Sequence, residues 1–304
     1  MKKEIYIRNF TEDDIDFAVE LIRIERWNYL PVDIKRLLEY EPNGCFVAEK
    51  NNKRVGFIFT ISYDRALKSG YKSRIGWIAL LIIHPTYRRR GIGTALTKHA
   101  MDYLYNIGAN SIWLHSDKNA VRFYQKLGFE ILGETLRLKM KSEALRDADI
   151  FTVEQDIDPL NKDDLEKIAQ FDALYFGANR LEVLKRLYRD YPHFCYVARS
   201  SGKIIGYIMS RKNLKGYSIG PFICHPKYLD IARSLLCKCL ASMLQRNKNF
   251  RITIDVPSEN LYALSLLLKL GFQSSSKTIR MCYGERGHFR EIKSIFAFGG
   301  LEKG

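Results

Sequence analysis

The chain has 304 residues, 46% of them hydrophobic and 27% charged, and carries a formal charge of +15. That length is generous for one compact core and ordinary for two. No apolar run approaches the roughly 18 to 20 residues of a membrane span, and Met1-Lys2-Lys3-Glu4-Ile5 lacks the apolar stretch of a secretion signal. A cytoplasmic location without a membrane partner is therefore expected. The Lys and Arg residues are spread along the chain with no basic run or basic-aromatic stripe, so a solvated basic surface is expected ahead of a nucleic-acid footprint. Cys45, Cys195, Cys224, Cys237, Cys239 and Cys282 sit in apolar surroundings without C-x-x-C spacing. They read as free buried thiols, and no metal site is expected.

In chain order, Ile7 to Ile15 reads as a strand leaving into a helix, with Thr11 as N-cap and an acidic residue three positions on. Residues 45–49 and 55–62 form a hairpin turning at Asn51-Asn52, and 74–84 a long central strand. From Gly91 a helix follows, with Ile92, Leu96, Ala100 and Leu104 on one face. Residues 111–115 read as a strand, 120–127 as a short helix and 134–141 as a closing strand.

The same order then recurs. Ile157 to Leu165 repeats the opening, with Asn161 as cap. Tyr196-Val197-Ala198 answers Phe46-Val47-Ala48, and Ile205-Gly206-Tyr207-Ile208 answers Val55-Gly56-Phe57-Ile58. His225-Pro226 matches His84-Pro85, and Leu270-Gly271-Phe272 matches Leu127-Gly128-Phe129. Five pairs in one order at a long, nearly constant offset mean two tandem domains, 1–145 and 146–304. The fold class expected is α+β: each domain is a mixed, mainly antiparallel sheet flanked by helices.

The informative segment is His84-Pro85-Thr86-Tyr87-Arg88-Arg89-Arg90-Gly91-Ile92-Gly93-Thr94. A strand ends, a basic loop follows, and two glycines open an amphipathic helix. The first turn of a helix has unpaired N–H groups and the positive end of the dipole, and glycine lets an anion approach the backbone. The segment lacks the third glycine of a dinucleotide fold and the Lys-Ser/Thr of a P-loop.

Arg88-x-x-Gly91-x-Gly93, followed by the run from Ala120 to Phe129, resembles the coenzyme A motifs of the GNAT acetyltransferases over roughly residues 1–140. The resemblance implies an acetyl-CoA cosubstrate and an amine acceptor. It also implies that the backbone of Arg89, Arg90, Gly91, Ile92, Gly93 and Thr94 holds the pyrophosphate, with Arg88 and Asn119 also at the coenzyme. Leu81, Ile82 and Ile83 would pair with pantetheine as an extra strand would, and Tyr124 would protonate the leaving thiolate. Glu25-x-Trp27-Asn28 resembles the acceptor side of two-domain family members. The general base has two candidates, His115 at a strand end and Glu25, and Asp255 could bind a cationic acceptor from the second domain.

In the second half Lys227-Tyr228-Leu229-Asp230-Ile231-Ala232 replaces the loop, and Leu267 stands where Tyr124 would be. That half is expected to keep the fold, to have lost coenzyme binding, and to shape the acceptor site. The leading reading is an N-acetyltransferase working by direct transfer in a ternary complex. Its alternatives are a coenzyme A-binding sensor, which would have no use for Tyr124, and a modifier of RNA or of nucleic-acid-associated proteins.

Overall fold

The hairpin at Asn51-Asn52 forms as expected, with φ of +53° and +57° at its two turn residues. That left-handed pair gives the turn whose twist matches its strands. The computed structural model describes residues 5–66, 72–145, 157–286 and 291–304. The start expected for the second domain, residue 146, lies outside the described residues.

The first half runs β1 (Tyr6–Asn9), α1 (Ile15–Ile24), α2 (Pro31–Tyr40), β2 (Cys45–Lys50), β3 (Lys53–Ala66), β4 (Lys72–Ile83), α3 (Ile92–Asn106), β5 (Ala109–Ser116), α4 (Val121–Gln125) and β6 (Glu130–Lys141). The second repeats it as β7 (Ile157–Pro159), α5 (Leu165–Phe176), α6 (Leu181–Asp190), β8 (Tyr196–Ser200), β9 (Lys203–Asn213), β10 (Gly216–Cys224), α7 (Leu229–Arg246), β11 (Arg251–Pro257), α8 (Leu261–Lys269) and β12 (Gln273–Gly284). A further strand, β13 (Ile295–Ala297), has no counterpart among the described residues of the first half. Among the described residues only the β4–β5 and β10–β11 ladders are parallel, so the mainly antiparallel α+β architecture is as expected.

The two halves trade their closing strands. The sheet order is β1-β2-β3-β4-β5-β12-β6-β11-β10-β9-β8-β7. β12 therefore lies against β5 of the first half, from Ile279 opposite Ser116 to Gly284 opposite Ser111. β6 lies against β11 of the second, from Lys141 opposite Arg251 to Thr135 opposite Pro257. Side chains follow the backbone. Leu138 and Met140 are buried with Ile252 and Phe272 in the second half, while Met281 is buried with Leu114 and Phe129 in the first. Ser142, just past β6, is fastened to the second half by its N–H to the Phe250 carbonyl at 2.9 Å and its hydroxyl to the Lys248 carbonyl at 3.0 Å.

Charge pairs add a second seam. Arg36 of α2 bonds Asp190 (2.6 Å) and the Tyr191 hydroxyl (3.0 Å), and Arg211 of β9 reaches Asp33 at 3.3 Å. Asp33, Arg36 and Arg211 are all at least nine-tenths buried. Charges so placed are tolerated only when paired, which makes the seam specific. Residues 1–145 expressed alone should fail as a folded monomer, because β5 loses β12 and β6 loses both of its partners, β12 and β11. Light scattering should show aggregate or dimer, and coexpression with residues 146–304 should give a one-to-one complex. A monomeric 1–145 with native near-UV dichroism would contradict the exchange.

Candidate active site

β4 is paired along one edge with β3, where Ala79 is an extra residue bulged between the Phe59–Leu80 and Thr60–Ile78 pairs. Its other edge is parallel to β5 only from Arg74 to Trp77. Beyond Trp77 the strands diverge, and a cleft of about 680 Å³ opens beside β4. An unpaired strand edge at a cleft can accept an extended ligand as a further strand.

The loop behind that cleft is shaped for an anion. Arg89 and Gly91 have left-handed backbone, φ +60° and +82°, and Gly91 caps α3. Successive N–H groups in such a turn converge into a concavity, and those at the start of α3 have no intrahelical partner. Gly93 serves a different purpose. A Cβ there would touch Ile83 and Phe123 at 3.7 Å, ordinary contact, so the missing side chain leaves ground for a ligand.

Of the residues expected at the coenzyme, Leu81 to Ile83, Arg88, Arg89, Gly91 to Thr94 and Asn119 line this cleft. Arg90 lies over the Tyr87 ring, 5.6 Å from its centroid. Tyr124 is 8% exposed and packs edge-on against Phe123 and Phe129, with ring centroids 4.9 and 5.7 Å apart. Phe123, its neighbour, is the ring that lines the cleft. Burial raises the Tyr124 phenol above its ordinary pKa, so it stays protonated.

A second cavity of about 300 Å³ lies against the first and is lined from both halves. Trp27 and Asp117 belong to both cavities. Asn28 and Asp255, singled out from the sequence, line the second. Asp255, however, already has a cation: Arg137 of β6 donates Nε to Oδ1 at 2.7 Å and its terminal nitrogen to Oδ2 at 2.8 Å. Glu25 is likewise engaged. It lines the first cleft and pairs with Arg88, whose Nε also donates to the Ile83 carbonyl at 2.9 Å.

His115 is not placed as a free base. Its Nδ1 lies 3.0 Å from the Leu301 carbonyl, which can only accept, so that nitrogen carries the proton. Nε2 must then accept from the Thr135 hydroxyl, also at 3.0 Å. Burial lowers its pKa to about 4. The ring is neutral, and both nitrogens are occupied.

Sequence reasoning passed over Asp117, Tyr29, Arg137, Arg211 and Leu301, all at the second cavity. Asp117 stood in plain view before Asn119, but only the meeting of two cavities gives it weight. Arg137 reaches the site through the strand exchange. Leu301 belongs to Gly299-Gly300-Leu301-Glu302, which has no pattern to mark it.

A cleft with a free strand edge and an anion loop, sharing Trp27 and Asp117 with a second polar cavity, is suited to an acyl-transfer enzyme. Residues 6–129 match the Acetyltransferase (GNAT) family and residues 168–297 the Acetyltransferase (GNAT) domain. The chain is 23% identical over 280 residues to holothin acyltransferase of Pseudoalteromonas sp. (strain SANK 73390), covering 92% of this chain and 88% of that one. It is 32% identical over 131 residues to an acetyltransferase of Pectobacterium atrosepticum, covering 41% of this chain and 86% of that one. A Pyrococcus horikoshii structure described as a candidate acetyltransferase superposes with TM-score 0.80 at 22% identity, over 100% of this chain and 97% of that one. The chain belongs to the GNAT family of acetyltransferases, as a tandem member. Members of that family use acetyl-CoA and act on amines. Among the described residues no group of His, Cys, Asp or Glu is placed to hold a metal, and no helix is long and apolar enough to cross a membrane.

The His115 environment makes a pH prediction. Its folded pKa of about 4 lies below the ordinary 6.5, so between those values the unfolded chain binds a proton that the native state does not. Stability is then full above about pH 6.5 and falls as pH drops towards 4. In His115→Gln the difference in melting temperature between pH 7.5 and pH 4.5 should shrink. An unchanged difference would mean that the folded ring takes up its proton normally.

Proposed function

We propose that the protein transfers an acetyl group from acetyl-CoA to a small polar amine by direct attack, with both substrates bound together. The observation that carries this reading is the meeting of the two cavities at Trp27 and Asp117. The residues present suit the coenzyme: a free β4 edge for an extended amide chain, and an N–H concavity with arginines for a pyrophosphate. Bound there, acetyl-CoA supplies an activated acyl thioester.

The chain's own groups divide the remaining work. Tyr124 holds a proton at its hydroxyl at neutral pH and, although its ring lies behind Phe123 and lines neither cavity, is the donor that the family resemblance assigns to a departing thiolate. Asp117, on the boundary of the two cavities, is the carboxylate assigned to take the proton of the attacking amine. Its Oδ1 already accepts from the Asn119 N–H at 2.8 Å, which steadies the side chain. His115 becomes a positioning residue, and Glu25 a brace for the loop through Arg88. Residues 1–145 carry the chemistry on this reading, and residues 146–304 help to wall the acceptor cavity.

Direct attack is favoured because no cysteine lines either cavity and burial raises the pKa of all six thiols. A covalent acyl carrier would need an accessible thiolate. The acceptor is small because about 300 Å³ holds roughly ten water-sized groups. It is polar because Asn28, Asn213, Ser218, Thr253, Ser276 and Thr278 line the space.

Two experiments bear on this directly. Calorimetry should find one acetyl-CoA per chain, and Gly93→Glu should abolish it without lowering the melting temperature, because the side chain has room while its charge repels phosphate. Two equivalent sites would defeat the assignment. In a coenzyme A-release assay over a panel of small amines, Asp117→Asn and Tyr124→Phe should each lower turnover about 100-fold while leaving coenzyme affinity within about twofold. Full turnover in Asp117→Asn would remove it as the base.

A further inference from the structure

The second half has its own diverging strands, and the gap between them is already filled. β10 and β11 pair in parallel from Gly216 to Ile219 and then separate, as β4 and β5 do. Beside β10 lies β13, antiparallel, with Phe222 opposite Ala297 and Ile223 opposite Ile295. On the other side, the N–H of Phe298 donates to the Asp255 carbonyl of β11 at 2.9 Å. The segment therefore bridges the two strands. Counted back from the matched His84-Pro85 and His225-Pro226, Phe222 to Cys224 stand where Leu81 to Ile83 stand in the first half.

Two residues are fitted to this insertion. Asn260 caps α8, its Oδ1 accepting from the Ala263 N–H at 2.9 Å, and donates its Nδ2 to the Ile295 carbonyl at 2.9 Å. Counted from the matched Leu-Gly-Phe triplets, its counterpart in the first half is Asp117, which has no such donor to give. Gly220 has φ +138°, and a Cβ on it would come within 1.8 Å of the Phe298 carbonyl oxygen. Only glycine admits the segment so close.

From β13 the chain runs on into the seam between the halves. The Leu301 carbonyl accepts from His115 Nδ1 at 3.0 Å and from Trp77 Nε1 at 3.2 Å. The Glu302 carboxylate accepts from the Tyr29 hydroxyl at 2.8 Å and from Arg211 at 3.3 Å, and pairs with Lys303. Tyr63 donates to the Lys303 carbonyl at 2.8 Å. Glu302 is 2% exposed. Burial alone would raise its pKa, but Lys303 and Arg211 hold it down to about 2, so the charge is permanent. Tyr29, His115, Arg211 and Asp255 all line the acceptor cavity, and each is held by an atom of residues 298–302. Leu301 lines the same cavity itself.

We propose that residues 295–298 are a built-in occupant of the second half's vestigial coenzyme cleft, and that this anchorage carries residues 299–302 into the seam, where they position the walls of the first half's acceptor cavity and set which amine fits. This rests on the acetyl-transfer reading above and deepens it. The segment supplies no reacting group. It fixes the proton on His115 Nδ1, holds Tyr29 and Arg211 through one carboxylate, and presents the Leu301 side chain to the acceptor. The second half keeps a GNAT fold without a phosphate loop because a diverging strand pair is a slot, and here a strand of the same chain uses it.

The test uses the full-length chain. Hydrogen exchange should show the amides of residues 295–298 protected like those of β10. Exchange as fast as that of an open loop overturns the insertion whether or not an acceptor is known. Asn260→Asp, which keeps the cap but removes the donor, should speed exchange at residues 295–298 at least tenfold. Glu302→Gln should raise the acceptor KM about tenfold, with kcat and acetyl-CoA Kd changed less than about threefold. Unchanged acceptor KM in a folded, coenzyme-binding Glu302→Gln overturns the positioning role. If that variant loses coenzyme binding through misfolding, Leu301→Ala decides, and should shift the preference across the amine panel towards bulkier acceptors. An unchanged preference overturns the proposal. A wild-type protein that turns over no amine defeats the acetyl-transfer reading, and the positioning role with it, while the exchange measurements still judge the insertion.

Discussion

Backbone pairing between β6 and β12 is the contact on which the rest of the molecule depends. Each strand belongs by sequence to one half and by hydrogen bonding to the other, and they meet antiparallel in the middle of the sheet, from Glu130 opposite Cys282 to Lys139 opposite Gln273. A strand edge left open is costly and prone to wrong partners. The exchange closes the edges of β5 and β11 at once, and it brings Arg137 of one half onto Asp255 of the other. The second cavity lies beside this joint and is lined from both halves, so neither half owns it.

The same local geometry has two uses in one chain. Parallel strands that pair for a few residues and then separate leave unpaired N–H and C=O groups, which water, a ligand or another strand must satisfy. Beside β4 the gap faces Gly91, Gly93 and the arginines. Beside β10 it is closed by β13, and Tyr262 reaches Asp230 at 3.3 Å where an anion loop would lie. An acidic side chain and a filled cleft both oppose a phosphate, each for its own reason. In the second half the surrounding fold is kept while a strand of the same chain fills the gap beside β10.

The interior charges follow one rule. Asp33, Arg36, Arg211, Glu302 and Lys303 are buried, where an isolated ion would be strongly penalised. They persist because each has an opposite partner: Arg36 with Asp190 and Asp33 with Arg211 across the seam, and Glu302 with Arg211 and Lys303 within the second half. The formal charge of +15 says nothing of this network, which is close to balanced.

The sequence by itself determined the repeat, the tandem α+β fold and the glycine loop that opens α3, because these depend on local order: periodicity, capping residues, and glycines at a helix entry. It also singled out Trp27 and Asn28, which line the second cavity. The partners of particular side chains were out of its reach. His115 has the pKa of a base in isolation, and only the Leu301 carbonyl and the Thr135 hydroxyl, contributed by distant segments, engage both its nitrogens. Asp255 looked free until β6 crossed over and brought Arg137 to it. Residues 295–302 carry no motif because a strand needs only an edge to pair with, and the vacant edge of β10 exists only after the sheet has formed. Local chemistry is written along the chain, whereas desolvation and partner choice arise from surfaces that folding alone brings together.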